Sequence, residues 1–371
     1  MATADHDYMR LALGLATRGL GDTWPNPTVG CVIVNQGRVV GRGWTQSGGR
    51  PHAETEALTR AGPAARGSTA YVALEPCSHH GQTPPCADAL IAAGVARVVA
   101  ATTDPDPRVS GQGLAKLRAA GVAVTTDVGK AEADALNAGF FSRILKRRPL
   151  FALKVATSLD GRIALASGES KWITGTTARR LNHAIRARFD AVLVGSETVV
   201  QDDPELTCRL PGYAGRPKVR IVLDRRLRTD PDRKVAQTQH GPTWVYTKPA
   251  AAAQAGTLRD CGVQVIGLDP PPQPLPRRSG EGLDFIAAVA GDLAAKGLTR
   301  VLIEGGGQVA AAALAAGLVD QIYWFRGAQL LGGGARPAVG ALALDRLSDA
   351  PQFTLKESLR LDGDLLEIRA L

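Results

Sequence analysis

The chain has 371 residues, 44% hydrophobic and 21% charged, which is ordinary for soluble globular protein and room for two domains that need no disulfides. No run of about eighteen apolar residues occurs, so no membrane span is expected, and the start Met1-Ala-Thr-Ala-Asp-His6 lacks the basic-then-apolar order of a signal peptide. The net charge of +9 suits either a nucleic acid or small anions; aromatics at 5%, with cations spread along the chain in short clusters such as Lys146-Arg-Arg148 and Arg277-Arg278 rather than gathered in one run, favour sugar phosphates or a phosphorylated dinucleotide.

In chain order, Tyr8, Leu11, Ala12, Leu15 and Ala16 recur at helical spacing within 8–20. Strands are predicted over 29–34 and 38–43 around the turn Asn35-Gln-Gly37. A helix over 52–61, a strand over 69–74, a helix over 88–93 and a strand over 97–102 follow. A helix over 113–120 and a strand over 122–126 close the first half. Strands alternating with helices predict an α/β fold, a sheet covered by helices. The pattern restarts with strands over 151–157, 191–194, 219–223, 243–246, 263–266 and 301–303. The basic stretch ending at Pro149 divides the chain into domains of residues 1–147 and 148–371. The proline-rich stretch 270–276, followed by Arg277-Arg-Ser-Gly280, predicts a stiff surface loop.

Five cysteines, Cys31, Cys77, Cys86, Cys208 and Cys261, are an odd and scattered set. That argues against a secreted disulfide framework and for a reducing, cytoplasmic setting, where a close pair is more often metal-binding or catalytic. His52-Ala-Glu54, Pro76-Cys77 and Cys86 together supply one imidazole and two thiolates, three ligands for zinc with a fourth position open to water. Zinc lowers the pKa of such a water, and Glu54, two residues after His52, is placed to carry its proton to leaving ammonia. His52 and Cys86 would each open a helix, where the positive end favours thiolate. Eight residues separate the two cysteines, where the usual deaminase signature has two. A structural site drawing on His79 or His80, or two core cysteines, is the competing reading; a structural site has no use for Glu54. In the second half, Arg300–Glu304 reads as a strand leading into Gly305-Gly-Gly307. Gly305, Gly307 and Ala310 fit dinucleotide spacing, and a plain glycine turn at a helix start fits as well.

Three segments resemble the deaminase half of the bifunctional riboflavin-biosynthesis deaminase–reductase family. They are Pro25-Asn-Pro-Thr-Val-Gly-Cys-Val-Ile-Val34, Leu74-Glu-Pro-Cys-Ser-His-His-Gly-Gln-Thr-Pro-Pro-Cys86 and Asp104-Pro-Asp-Pro-Arg-Val-Ser-Gly-Gln-Gly-Leu114. Further segments, 153–162, 167–174, 194–204, 206–209 and 303–307, resemble its reductase half. The resemblance implies a cytidine-deaminase-like α/β/α domain, then a dihydrofolate-reductase-like α/β domain using NADPH rather than a Rossmann domain. It implies zinc on His52, Cys77 and Cys86, proton transfer by Glu54, and substrate contact by Asn26, for which a turn residue is the rival reading. In the reductase it implies that Ser170, Arg186, Leu206, Arg209 and Glu304 contact a pyrimidine ribosyl phosphate, with Arg186 and Arg209 suited to its phosphate. Ala156, Trp172, Thr198, Asp202, Asp224, Gly306 and Gly307 would line NADPH. Lys154 is the candidate for polarising or protonating near the sugar C1, against a solvated strand lysine. Thr45, Arg50 and Gln82 stand where the family commonly has His, an acidic residue and Lys or Arg. Arg50 is expected to take part in phosphate binding. A homo-oligomer through the reductase domain is expected, with no nucleic acid and no membrane as partner.

Overall fold

The computed structural model describes residues 2–79, 84–107, 109–269 and 281–371. The chain divides into two compact units, Met1–Arg148 and Pro149–Leu371.

The first unit contains α1 (Ala2–Ala16), β1 (Gly30–Asn35), β2 (Arg38–Trp44), α2 (Ala53–Ala61), β3 (Thr69–Val72), α3 (Cys86–Ala92), β4 (Arg97–Ala100), α4 (Gln112–Ala119), β5 (Ala123–Thr125), α5 (Lys130–Leu136) and α6 (Ala138–Lys146). Its sheet runs β2-β1-β3-β4-β5. β1 is antiparallel to both neighbours, and β3, β4 and β5 are parallel. Apolar residues of β1, β3 and β4 pack with Ala53, Ala57 and Ala61 of α2 and with Ala87 and Leu90 of α3. The approach of α2 to the sheet is possible because β2 presents glycine there. A Cβ on Gly41 would lie 2.2 Å from the Ala57 carbonyl oxygen, and one on Gly43 would lie 2.2 Å from that of Ala53. This close seat fixes the start of α2, where His52 and Glu54 stand.

The second unit contains β6 (Leu150–Thr157), β7 (Arg162–Ala164), α7 (Thr176–Ala187), β8 (Ala191–Gly195), α8 (Ser196–Asp202), β9 (Val219–Leu223), β10 (Thr243–Thr247), α9 (Pro249–Ala252), α10 (Gly256–Asp260) and β11 (Gln264–Gly267). It continues with α11 (Glu281–Ala295), β12 (Arg300–Ile303), α12 (Gly307–Ala315), β13 (Val319–Arg326), β14 (Arg336–Pro337), β15 (Thr354–Leu361) and β16 (Asp364–Ala370). Nine strands form one sheet in the order β11-β10-β9-β8-β12-β6-β13-β16-β15, and β7 pairs with β14 apart from it. The strands from β11 to β13 are parallel; β16 and β15 run antiparallel at one edge. Val192, Val194, Val222 and Val245 on the central strands are fully buried, as parallel strands covered on both faces require.

Six predicted strands of the second half are present within a residue or two of their expected bounds, while β13, β15 and β16 were not predicted. The last two strands, β15 and β16, are largely exposed or half-exposed, so their sequences lack the apolar run that marks a covered strand. The proline-rich stretch 270–276 and His80 and Gln82 lie outside the described residues. Among the described residues no helix is long and apolar enough to cross a membrane.

Candidate active sites

In the first unit, His52 is the residue before α2 in extended backbone, Cys77 lies in the loop after β3, and Cys86 is the first residue of α3. Their ligand atoms all lie within 4.8 Å of one another. His52 Nδ1 is 3.3 Å from Cys86 Sγ and 3.7 Å from Cys77 Sγ. A nitrogen and a sulfur on one tetrahedral zinc stand about 3.5 Å apart, so both imidazole–sulfur separations fit that ion. The Cys86 backbone N–H donates to Cys77 Sγ at 3.3 Å. A hydrogen bond from the Cys86 side chain, helped by His52 and that N–H, holds the Cys77 thiol down to about 4 against the effect of burial. The shared proton and burial push Cys86 up. Two sulfurs sharing one proton against an imidazole are a donor set that a soft cation completes.

Glu54 is 4% exposed, and burial pushes its carboxyl up to about 7, with Cys77 adding to the rise and His52 opposing it. A carboxyl poised near neutrality beside the ligand set suits a group that both takes and gives a proton. A cavity of about 200 Å³ opens onto His52, Glu54 and Cys77, walled also by Asn26, Thr45, Arg50, His79, Asp104 and Arg143. Asn26 is held against the loop after β2, where Gly49 has a φ of +87° and a Cβ would lie 1.9 Å from Asn26 Nδ2. Glu75 organises the opposite wall, its carboxylate accepting backbone N–H groups from Asp104, Gly111, Gly113 and Leu114 at 2.9–3.3 Å.

In the second unit, a cleft lies at the carboxyl ends of β8, β12 and β6, the place where parallel sheets take ligands. Its larger chamber, about 510 Å³, is walled by Lys154, Ser170, Trp172, Arg186, Leu206, Arg209 and Glu304 among others. A smaller chamber of about 230 Å³ shares Lys154, Ala156, Thr198, Asp202 and Glu304 and adds Gly305, Gly306 and Arg336. Glu304 ends β12 and faces Arg186 of α7. Arg186 Nε donates to Oε1 at 2.5 Å and Nη2 to Oε2 at 3.0 Å, while Nη1 donates to the Thr207 carbonyl oxygen at 2.7 Å. Burial opposes ionisation of Glu304, but Arg186, helped by Lys154 and Asn182, outweighs it and holds the carboxyl at about 2. Burial lowers the Lys154 ammonium pKa, Glu304 resists, and its Nζ sits 5.6 Å from the Phe325 ring centroid.

Residues 149–366 match the family of the RibD C-terminal domain, and residues 2–102 match that of the cytidine and deoxycytidylate deaminase zinc-binding region. The riboflavin biosynthesis protein RibD of Escherichia coli K12 is 43% identical over 373 residues, covering 97% of this chain and 98% of that one. The chain belongs to the RibD family. The Aquifex aeolicus member is 41% identical over 98% of this chain and 97% of its own. The solved RibD of Acinetobacter baumannii is 36% identical with a TM-score of 0.88, covering 100% of this chain and 99% of that one. A solved structure from Thermotoga maritima, described as a diaminohydroxyphosphoribosylaminopyrimidine deaminase/5-amino-6-(5-phosphoribosylamino)uracil reductase, is 33% identical with a TM-score of 0.84 and the same coverage. The chain is thus a bifunctional RibD enzyme of riboflavin biosynthesis, with a zinc-binding deaminase domain and an NADPH-using reductase domain of the dihydrofolate-reductase-like class.

Against this RibD frame, the structure gathers most of the residues singled out from sequence. Asn26, Thr45, Arg50, His52, Glu54 and Cys77 share one cavity, with Cys86 beside them. Lys154, Ala156, Ser170, Trp172, Arg186, Thr198, Asp202, Leu206, Arg209 and Glu304 share the cleft. Gly306 lines its smaller chamber, and Gly307 begins α12 behind it. Asp224 is not brought there: it is fully buried after β9, and its Oδ2 accepts from Thr229 N and Oγ1, both at 2.7 Å. Arg186, expected on phosphate, has its fork engaged by Glu304. Sequence reasoning gave no role to Glu75, Asp104, Arg143, Asn182, His183 or Lys234. Glu75 and Asp104 stand inside quoted family segments, which was a usable signal; the others come from helices and loops with no motif.

Proposed function

We propose that the first unit deaminates 2,5-diamino-6-(5-phosphoribosylamino)pyrimidin-4-one and that the second reduces the ribosyl group of the product to ribityl. The observation that carries the reading is one buried carboxyl, Glu54, set beside a His–Cys–Cys triad on a cavity of about 200 Å³. His52, Cys77 and Cys86 would hold the zinc, whose Lewis acidity would make water nucleophilic near neutral pH. Glu54 takes the proton of the attacking water and delivers it to the departing amine, so that the exocyclic C–N bond between ring carbon and amino group breaks, a C–O bond forms at that carbon and ammonia leaves. Asn26 orients the ring from the Pro25–Pro27 turn. Arg50 on the cavity wall supports a role toward the phosphate.

In the cleft, Ala156, Trp172, Thr198, Asp202, Gly306 and Gly307 would hold NADPH, which would supply the hydride. Opening of the sugar at its C1–O bond, once C1 had received that hydride, would leave the ring oxygen in need of a proton. Lys154 Nζ gives it; burial eases the loss of that proton from the ammonium. Glu304, anchored by Arg186 and Asn182, and Ser170 and Leu206 hold the substrate, and Arg209 takes its phosphate in place of the engaged Arg186. Two single substitutions test the assignment. Glu54→Gln is expected to cut ammonia release by about 10²–10⁴-fold and leave reduction of the deaminated substrate intact. Lys154→Met is expected to do the reverse; either variant damaging both steps contradicts the separation. The proposal extends to a cytoplasmic homo-oligomer joined through the second unit, and light scattering that finds a monomer would contradict the latter.

A further inference from the structure

We propose that His183 is a phosphate-binding residue of the reductase cleft, a neutral imidazole whose Nε2–H donates to the substrate's phosphate. The inference deepens the reductase reading above and rests on it. His183 lies on α7, three residues before Arg186, and is half-buried in the cleft wall. Its Nδ1 accepts the backbone N–H of Arg209 at 3.2 Å. A ring nitrogen that accepts from an N–H carries no proton, so the proton of the neutral ring sits on Nε2. With Nδ1 turned to the Arg209 backbone, the other edge of the ring is the one left for the cleft. That edge can only donate, which suits a phosphate, an acceptor on every oxygen, better than a pyrimidine edge of mixed character.

The charges around the ring agree. Burial, Arg186, Arg209 and Lys154 all disfavour an imidazolium and Glu304 alone favours it, so the ring titrates down at about 4. Protonation would also set Nδ1–H against the Arg209 N–H. The same surroundings favour an incoming anion. Arg186 is tied to Glu304, whereas Arg209 and Lys234, which line the same cleft, pair with the exposed or half-exposed carboxylates of Glu205 and Asp203. The loop carrying Arg209 is fastened to α7 at this position, because Cys208 Sγ also donates to the His183 carbonyl oxygen at 3.3 Å.

Glutamine can reproduce both contacts, its oxygen accepting from Arg209 N–H and its amide donating onward; alanine reproduces neither. His183→Ala is expected to raise KM for 5-amino-6-(5-phosphoribosylamino)uracil about ten- to a hundredfold, as for loss of a hydrogen bond to a charged group. The kcat and the KM for NADPH should stay within about twofold, since neither depends on that bond. His183→Gln should restore KM to within a few-fold of the native enzyme. For the same substrate without its phosphate, native and His183→Ala enzymes should share one KM. An equal KM rise with and without the phosphate, or no rise at all, overturns the proposal. Titration of the native protein with inorganic phosphate, followed by the imidazole ¹⁵N resonances, gives a readout free of variant misfolding: the Nε2 signal of His183 should move, and an unmoved signal overturns the proposal. Failure of the native enzyme to oxidise NADPH with the phosphorylated substrate would instead remove the reductase reading itself.

Discussion

Glu304 and Arg186 show how one buried pair serves both stability and the cleft. Their side chains are 6% and 11% exposed, so each charge depends on the other for solvation. Glu304→Gln leaves the guanidinium buried without its counter-charge, and a loss of about 3–5 kcal/mol is expected in denaturant unfolding of the native chain against the variant. The pH dependence has a definite sign. A carboxyl held at about 2, below its ordinary 4.5, contributes stability that is fully present above pH 4.5 and is lost as pH falls toward 2. Native protein should therefore lose more stability than Glu304→Gln between those values; parallel curves would show that the pair contributes nothing.

Among the elements, α2 and the loop before it carry the deaminase geometry. Gly43 and Gly41 let α2 sit on β2, and Gly49 lets the 45–52 loop meet Asn26. Gly49→Ala combines a positive φ with a Cβ inside the Asn26 amide. Moving Asn26 by about 1 Å is expected to slow ammonia release by up to about 100-fold while zinc content, read by atomic absorption, is unchanged. Unchanged deamination would show that Asn26 does not orient the ring. These same elements explain what was legible beforehand. β1, β3, β8, β9 and β12 are covered strands, so their residues form apolar runs that stand out from the polar segments around them. α6 and β13 interleave apolar with charged or amide residues, as in Val319-Asp-Gln-Ile, and their packing is decided by partners distant in sequence. The zinc set was legible because His52, Glu54, Cys77 and Cys86 sit in short motifs. Arg186 binding Glu304 was not, because that contact joins residues 118 positions apart.

At the scale of the whole molecule, each unit carries its own site and its own chemistry. The first needs a metal and a proton carrier; the second needs a dinucleotide and a proton donor. The ammonia-releasing step makes the ring that the reducing step accepts, so one chain performs two consecutive reactions. Zinc should matter to the first alone, since His52, Cys77 and Cys86 all belong to Met1–Arg148 and the cleft residues to Pro149–Leu371. The most direct test is a paired assay on the purified chain with the diaminopyrimidinone ribosyl phosphate, recording ammonia release and NADPH oxidation separately, with and without a zinc chelator. Ammonia should appear first and NADPH oxidation after it, both lost on chelation, and NADPH oxidation should be restored by supplying the deaminated substrate. Ammonia release that persists in zinc-free protein, or no signal from zinc-loaded protein with fresh substrate, would contradict it.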